Sequence, residues 1–496
     1  MRLTKLFVIT TLIISLGSCE TEHEKGKRLA EQYCGSCHAF PNPNLLPKTI
    51  WAQNVLPNMA FRMGLTDLME LPRYVPGNDI LIVAATLPSE PMVSPSEWQA
   101  IVDYFLDSAP DSLSNRSKKE MSQANLFVPI KYKQPDGDGS LPLVTQLYFD
   151  SPTKRIIVGT RTGELFQVDN QFQRISMLNF TSTSSHVLRT KNHHLVSLMG
   201  IMDPNDQPKG ELIRIDSANR VESIIDSLKR PVYFELADLN NDQQEDIIIC
   251  EFGNYTGSLS AYEKVGKKYK RHLISVLPGS RRTVIKDFNG DGLNDILCMF
   301  TQGDEQITLL VNEGNFKFYR KNILRFPPVY GSTYFDIADF NNDGRFDIIY
   351  TNGDNSDYSQ ILKPYHGIRI FLQNENEEFE ESWFYPIHGI SKAIPIDFDL
   401  DGDLDIATIS FFPDFKNNPE ASFVYFNNQD GKFAAQQIPQ SVSGRWIVME
   451  AADIEGDGDV DLLLGALDFQ SKVPDYLFQQ WKGDKTCVLI LQNQTH

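Results

Sequence analysis

Two cysteines and a histidine near the head of this chain stand in a spacing that limits their chemistry. Cys34-Gly35-Ser36-Cys37-His38 places two thiols two residues apart, with an imidazole directly after. Such a group suits a redox dithiol, half of a zinc site, or the attachment point of a haem. A thioredoxin-like dithiol needs a strand–helix–strand context, and none surrounds the motif. A zinc site needs a second ligand pair, and no nearby cysteine or histidine pair supplies one. His38 decides for one covalent haem c: Cys34 and Cys37 form the thioethers, and His38 reaches the iron from one face. A methionine thioether is the usual partner on the other face and raises the potential. The candidates, in order, are Met59, Met92 and Met63. Met59 follows Leu-Pro-Asn and begins a new turn. Met63 shares its helix face four residues on. Met92 lies two residues before Ser94.

A second set of residues repeats. DLNNDQQED starts at Asp238, DFNGDGLND at Asp287, DFNNDGRFD at Asp339, DFDLDGDLD at Asp397 and DIEGDGDVD at Asp453. The starts are 49, 52, 58 and 56 residues apart, a period that means a propeller or a solenoid. Oxygen ligands stand at positions one, three, five and nine, and position seven offers its backbone carbonyl. The first copy supplies Asp238, Asn240, Asp242, Gln244 and Asp246. The second supplies Asp287, Asn289, Asp291, Leu293 and Asp295. The third supplies Asp339, Asn341, Asp343, Arg345 and Asp347. The fourth supplies Asp397, Asp399, Asp401, Asp403 and Asp405. The fifth supplies Asp453, Glu455, Asp457, Asp459 and Asp461. Hard cations take such all-oxygen sets, so four to five structural calcium ions are expected. Glycine at position six permits the sharp turn, and the first copy is weakest because Gln243 stands there. Strand-like runs flank each loop, so each is a hairpin turn held by a cation.

The elements that must position these groups follow from the flanks. EKGKRLAEQYCGSCHAF reads as a helix running into the cysteines, with Gly26, Leu29 and Tyr33 on its packing face. SPSEWQAIVDYFLDSAP, residues 94–110, reads as a second helix, capped by Ser94 or Ser96, with Trp98, Ile101, Val102 and Phe105 at helical spacing. The pair resembles the first and last helices of class I monohaem cytochromes c over residues 24–110. The resemblance implies that the two helices cross beside the haem. The five acidic loops resemble the FG-GAP, or VCBS-type, repeats of integrin-like β-propellers, over residues 125–496. It implies four-stranded antiparallel blades with the calcium loop joining the first two strands. Two degenerate blades precede the calcium blades, giving seven. The chain end KTCVLILQNQTH matches a third strand, so LFVPIKYK, residues 126–133, is expected to supply the missing fourth. Cys250, Cys298 and Cys487 lie in apolar runs and read as buried free thiols.

The expected fold is therefore multidomain: a small all-α cytochrome c domain, then an all-β seven-bladed propeller. Residues 1–18 read as a signal peptide, with Arg2 and Lys5 before an apolar run too short to span a bilayer. Leu16-Gly17-Ser18-Cys19 resembles a bacterial lipoprotein box, which implies cleavage before Cys19 and its lipidation. The haem domain covers 19–110, a polar linker 111–125, and the propeller 126–496. The expected location is the bacterial cell envelope, lipid-anchored on its periplasmic face or at the cell surface, with the outer membrane preferred. A net charge of −19 excludes nucleic acid as a partner.

The expected function is single-electron transfer to a redox partner at the envelope, with the propeller as docking or ligand-binding module. One alternative is an oxidoreductase whose propeller oxidises a sugar, alcohol or aldehyde and hands electrons to the haem. A second is a surface glycan-binding or adhesion protein. No nucleophile motif, phosphate loop or nicotinamide fingerprint is present, and whether the propeller is catalytic stays open. A ligand face is expected on two inserts: residues 352–367, with Asp354, Asp357, Tyr365 and His366, and residues 411–420, with Asp414. Both inserts should emerge opposite the calcium loops. Arg281, Arg282 and Arg445 could line the same face.

Overall fold

The computed structural model describes residues 20–66, 68–75, 77–114, 120–134, 140–355 and 360–495. The signal peptide, Cys19 and Asp357 lie outside them. No helix among the described residues is long and apolar enough to cross a membrane.

The helical unit is built on two long helices. The leading helix, Glu22–Cys34, starts at a capping box in which Thr21 and Glu24 satisfy each other's backbone N–H groups. The closing helix, Pro95–Ser108, starts the same way through Ser94 and Glu97, with proline in its first turn. They pack tightly because Gly26 has no side chain: a Cβ there would stand 2.3 Å from Ala100 O and 2.8 Å from Tyr104 Cβ. Leu29, Trp51, Ile101 and Phe105 form the core between them. Trp51 is 1% exposed, and its indole N–H donates to Pro43 O at 2.7 Å. The segment Trp51–Val55 is wound as a π-helix, and the Leu56–Arg62 helix follows it. Pro57 has no N–H to give to the preceding turn, which accounts for the widened winding.

Seven β-sheets form the rest of the described chain. Blades 1 and 2 carry no acidic repeat, and blades 3 to 7 carry the five loops. Each blade is an antiparallel set of four strands, and the acidic loop joins the first two. Blade 3, for instance, runs Pro231–Ala237, Asp246–Glu251, Ser258–Val265, Lys268–Ser275. The second strands of blades 3 to 7 are buried at every residue, which is why they read as unbroken apolar runs. Cys250, Cys298 and Cys487 are free and buried, as expected. The ring closes as the sequence predicts: Phe127–Lys133 pairs antiparallel with the last strand, Thr486–Asn493, as the fourth strand of blade 7. Closure covers an edge that would otherwise expose unpaired backbone.

Two features depart from expectation. The end of the linker is not free: Ser122 and Gln123 pair in parallel with Gln436 and Gln437, adding a fifth strand to blade 6. The second-to-third-strand connection of blade 7 holds a helix, Asp475–Asp484, whose Leu477, Phe478 and Trp481 are buried against Phe415.

The helical unit sits on the propeller face opposite the acidic loops. Asp79 is fully buried there and accepts from Asp206 N at 3.0 Å and from the Gln207 side chain. Asp206, also fully buried, in turn accepts from the backbone N–H groups of Asn254, Tyr255 and Thr256. Tyr255 OH donates to Tyr74 O at 2.7 Å, and the Arg62 guanidinium lies 4.1 Å from its ring centroid. Val329 and Ile361 of the propeller join the helical core.

Candidate functional site

The thiols stand where the leading helix ends. Cys34 is its last residue, Gly35 caps it, and Ser36 Oγ donates back to Tyr33 O at 2.7 Å. Cys34 is half-buried and Cys37 exposed, and neither is in a disulfide. Burial, with Cys37 close by, pushes the Cys34 thiol up to about 11. His38 Nδ1 donates to Ala39 O at 3.0 Å, which leaves the Nε2 lone pair free for a metal. Burial lowers the affinity of that imidazole for a proton, opposed by the Ala39 carbonyl and the Asp304 carboxylate. Asp304 and Arg325 belong to blade 4 and pair at 2.7 Å, so His38 feels the propeller's charges directly.

The three methionines separate. Met59 and Met63 pack in the same apolar cluster as Cys34, Tyr33 and Phe40. Met59 sits within the Leu56–Arg62 helix, just after the π-wound turn. Met63 is buried at its end. Met92 is 44% exposed and outside that cluster, although its N–H donates to Met63 O. The donor set thus fits haem c: two free thiols, an imidazole with Nε2 available, and thioethers in the apolar cluster of Cys34. Met63 stands ahead of Met92 on this geometry.

The five acidic loops share one backbone. At position six Gly292, Gly344, Gly402 and Gly458 take φ between +82° and +102°, and Gln243 takes +67° in the same place. Position one curls around the turn: Asp287 Oδ2 accepts from Gly292 N, as Asp397 Oδ2 does from Gly402 N. Position nine is buried in all five, at Asp246, Asp295, Asp347, Asp405 and Asp461. Burial and the neighbouring acids raise these carboxyls, to about 6 for Asp405 and about 7 for Asp461. Such clustering suits a hard cation as counter-charge. In blade 6, carboxylate oxygens of Asp397, Asp399 and Asp405 lie within 4.8 Å of one another. In the third copy Arg345 turns its guanidinium onto Asp343 and adds a local positive charge.

The expected ligand face is placed differently. Both inserts emerge opposite the acidic loops, as expected. Within the described part of the 352–367 insert, however, Tyr365 and Ile361 support the helical unit. Tyr365 OH donates to Leu45 O and Val329 O, both at 3.2 Å, and its ring stacks on Tyr330. His366 is 1% exposed and pushed well below its usual pKa by burial, beside Lys363. Asp354 lies in the same loop, and Arg281 is its electrostatic partner. Asp414 caps its own turn through Asn417. Arg445 lines no open face. It is buried in a cage of Phe411, Phe412, Phe415 and Phe469, with Nε donating to Phe411 O at 2.8 Å. Beside it Asp468 accepts from Arg445 N, and burial raises its carboxyl to about 7.

Sequence reasoning missed the contacts that seat the helical unit. Asp79 ends a short 3-10 turn, and Asp206 and Tyr255 sit in loops; each is a single polar residue without spacing or repetition to mark it.

The FG-GAP-like repeat family matches residues 287–350 and 397–464, each match running from the acidic loop of one blade (4 or 6) into the second strand of the next (5 or 7). No curated protein matches the chain. Among solved structures, the Neurospora crassa Pan2 WD40 domain is similar at 9% identity, covering 75% of this chain and 98% of that one, with a TM-score of 0.45. The N-terminal domain of Nup159 is similar at 10% identity, covering 75% and 97%, with a TM-score of 0.44. The Myceliophteria thermophila Cps50 (Swd1) beta-propeller domain is similar at 11% identity, covering 72% and 98%, with a TM-score of 0.44. The chain is a seven-bladed β-propeller bearing FG-GAP-like repeats, with a helical unit seated on one face.

Proposed function

We propose that this chain is a monohaem c-type cytochrome whose helical unit passes single electrons at the bacterial envelope, and whose propeller docks the partner. The observation that carries the reading is the grouping at the end of the leading helix. Cys34 and Cys37 are free there, His38 keeps Nε2 available, and Met59 shares the apolar cluster of Cys34. Haem c held by these residues would supply reversible one-electron chemistry. The protein's own part is to set its surroundings. Met59 is the preferred sixth ligand, with Met63 next. Trp51 and Phe105 keep water from the apolar side, and the Asp304–Arg325 pair sets the charge beside His38.

Four to five calcium ions belong to the scaffold in this reading: they neutralise the acidic hairpins on the face away from the helical unit. The export signal and a lipid on Cys19 would tether the protein to the outer membrane. Its exposed propeller surfaces are then available to a redox protein. Haem absorbance tests the assignment of roles. The oxidised protein, with calcium, is mixed with sugars, alcohols or aldehydes. No reduction is expected until a reduced carrier protein is added. Reduction by a small substrate alone would replace the carrier reading with the oxidoreductase one.

A further inference from the structure

The first strands of the blades line the propeller axis, and they share one frame. Each opens opposite the last residue of its second strand, as in Pro231↔Glu251, Ser280↔Phe300, Ser332↔Asn352, Ile390↔Ser410 and Trp446↔Ala466. Equivalent positions therefore stack as rings along the axis. The third position carries Arg282 and Lys392, with Tyr233 and Tyr334 on either side of Arg282. The fifth position, nearer the calcium loops, carries Glu235, Asp336 and Glu450. Arg281, at the second position, stands nearer the helical face. The axis is thus cationic toward the helical unit and acidic toward the calcium side.

A cavity of about 490 Å³ lies on this axis, a size typical of small-molecule sites. Met202 and Phe252, from loops on the helical face, form part of its wall, and Glu450 lines it from the other direction. Most of its charges are already paired. Asp336 accepts from Arg282 Nη2 and Tyr334 OH, both at 2.9 Å. Glu235 accepts from Thr283 Oγ1 at 2.5 Å and Tyr233 OH at 3.3 Å. Lys392 Nζ donates to Met449 O at 2.7 Å. Some polar groups keep unused hydrogen-bonding capacity, although Arg281 has the Asp354 carboxylate as its electrostatic partner. Among the described residues, neither the Arg281 guanidinium nor the Glu450 carboxylate has a hydrogen-bond partner, and Arg282 Nε is buried without one. Leaving Arg282 Nε buried without a partner is costly, and a ligand is one way to satisfy it; Arg281 and Glu450 are half-buried and line the cavity.

We propose that this cavity binds a sugar acid of monosaccharide size, its carboxylate on Arg281 and its hydroxyls toward Glu450. A guanidinium fork matches a carboxylate with two parallel hydrogen bonds. The other small polar groups of the wall, Thr145, Ser185 and Ser391, are neutral; each donates to a backbone carbonyl and keeps lone pairs that accept from a hydroxyl. An amino acid fits worse, because its ammonium would have to sit beside Arg282 and Lys392 to reach Glu450. Burial raises the Glu450 carboxyl, against the pull of Lys392 and Arg282, which suits it to exchange hydrogen bonds with hydroxyls.

The site stands independently of the haem reading, because binding heat is read whether or not haem is attached. Calorimetry on the full chain with calcium, titrated with D-glucuronate, should show saturable binding. D-Glucose, which lacks the carboxylate, should bind about tenfold more weakly or worse. Arg281→Gln and Glu450→Gln should each weaken glucuronate by about tenfold, and Arg281→Lys by less than Arg281→Gln. A second measurement needs no variant: glucuronate should protect Arg281 from phenylglyoxal, read by mass spectrometry. No binding at millimolar glucuronate, equal binding of glucose, tighter binding of L-alanine, or unchanged affinity in Arg281→Gln would each overturn the proposal.

Discussion

At Gly26, in the helical unit, an added Cβ would stand 2.3 Å from a carbonyl oxygen of the crossing helix, whereas at Gly292 or Gly402, in the acidic loops, it would meet nothing within 4 Å. The first glycine is required by packing and the others by backbone conformation, since their φ values are +86° and +99°. The difference runs through both regions. The helical unit is specified by residues that occur once, each in contact with several others. The propeller is specified by a turn that occurs five times, so one copy can weaken while the ring persists. Gln243 is that weakened copy: it takes the glycine conformation at a cost of about 1 kcal/mol.

Removing the cations should separate the two regions most strongly. Chelation should lower the unfolding temperature of the propeller by more than ten degrees. Each site filled at a hundred times its Kd contributes about 2.7 kcal/mol. The helical unit's near-UV signal should change little before the propeller melts, and calorimetry with circular dichroism reads both. Concerted loss of both regions on chelation would show that they do not hold their shapes separately.

The next effect is local. Gly26→Leu should force the two long helices apart and destabilise the helical unit by about 1–3 kcal/mol. The calcium-dependent transition of the propeller should stay in place. Hydrogen exchange in Glu22–Cys34 is the direct readout.

A third test concerns charge buried away from the calcium loops. Asp468 keeps its proton up to about 7 because it is buried, while an unfolded aspartate releases it near 4. The native state then binds the extra proton between those values, so stability falls as pH rises through this window. Asp468→Asn should remove one proton's slope, about 1.4 kcal/mol per pH unit, in urea titrations at saturating calcium. An unchanged slope would mean that the carboxyl is ionised in the fold.

The smallest effect lies in the weakened loop itself. Gln243→Gly should stabilise the propeller by about 0.5–1 kcal/mol in denaturant titrations, because glycine takes positive φ without strain. The same exchange gains nothing at Leu293, where φ is not positive.

Legibility in the sequence follows the same division. The acidic hairpins, the seven blades and the closure by Phe127–Lys133 were readable because repetition and strand periodicity mark them. The leading and closing helices were readable from capping residues and apolar spacing. The seat between the regions was not. Asp79, Asp206 and Tyr255 act through the positions of backbone N–H and C=O groups that only the folded loops bring together. For the same reason the 352–367 insert looked like a ligand loop. Its Tyr365 and His366 have the chemistry for it, but the fold places them against the helical unit and in the core. The rings of charge along the axis were visible only once the strand registers were known.

Haem content, after expression in cells that mature c-type cytochromes, decides the role of the helical unit. One haem per chain is expected, still attached after denaturation in acid acetone, with a reduced c-type spectrum. Cys34→Ser/Cys37→Ser should lose the attachment, and Met59→Ala should alter the ligand-field spectrum while keeping it. A mature chain that carries no covalent haem, or that binds stoichiometric zinc at these cysteines, would overturn the haem assignment.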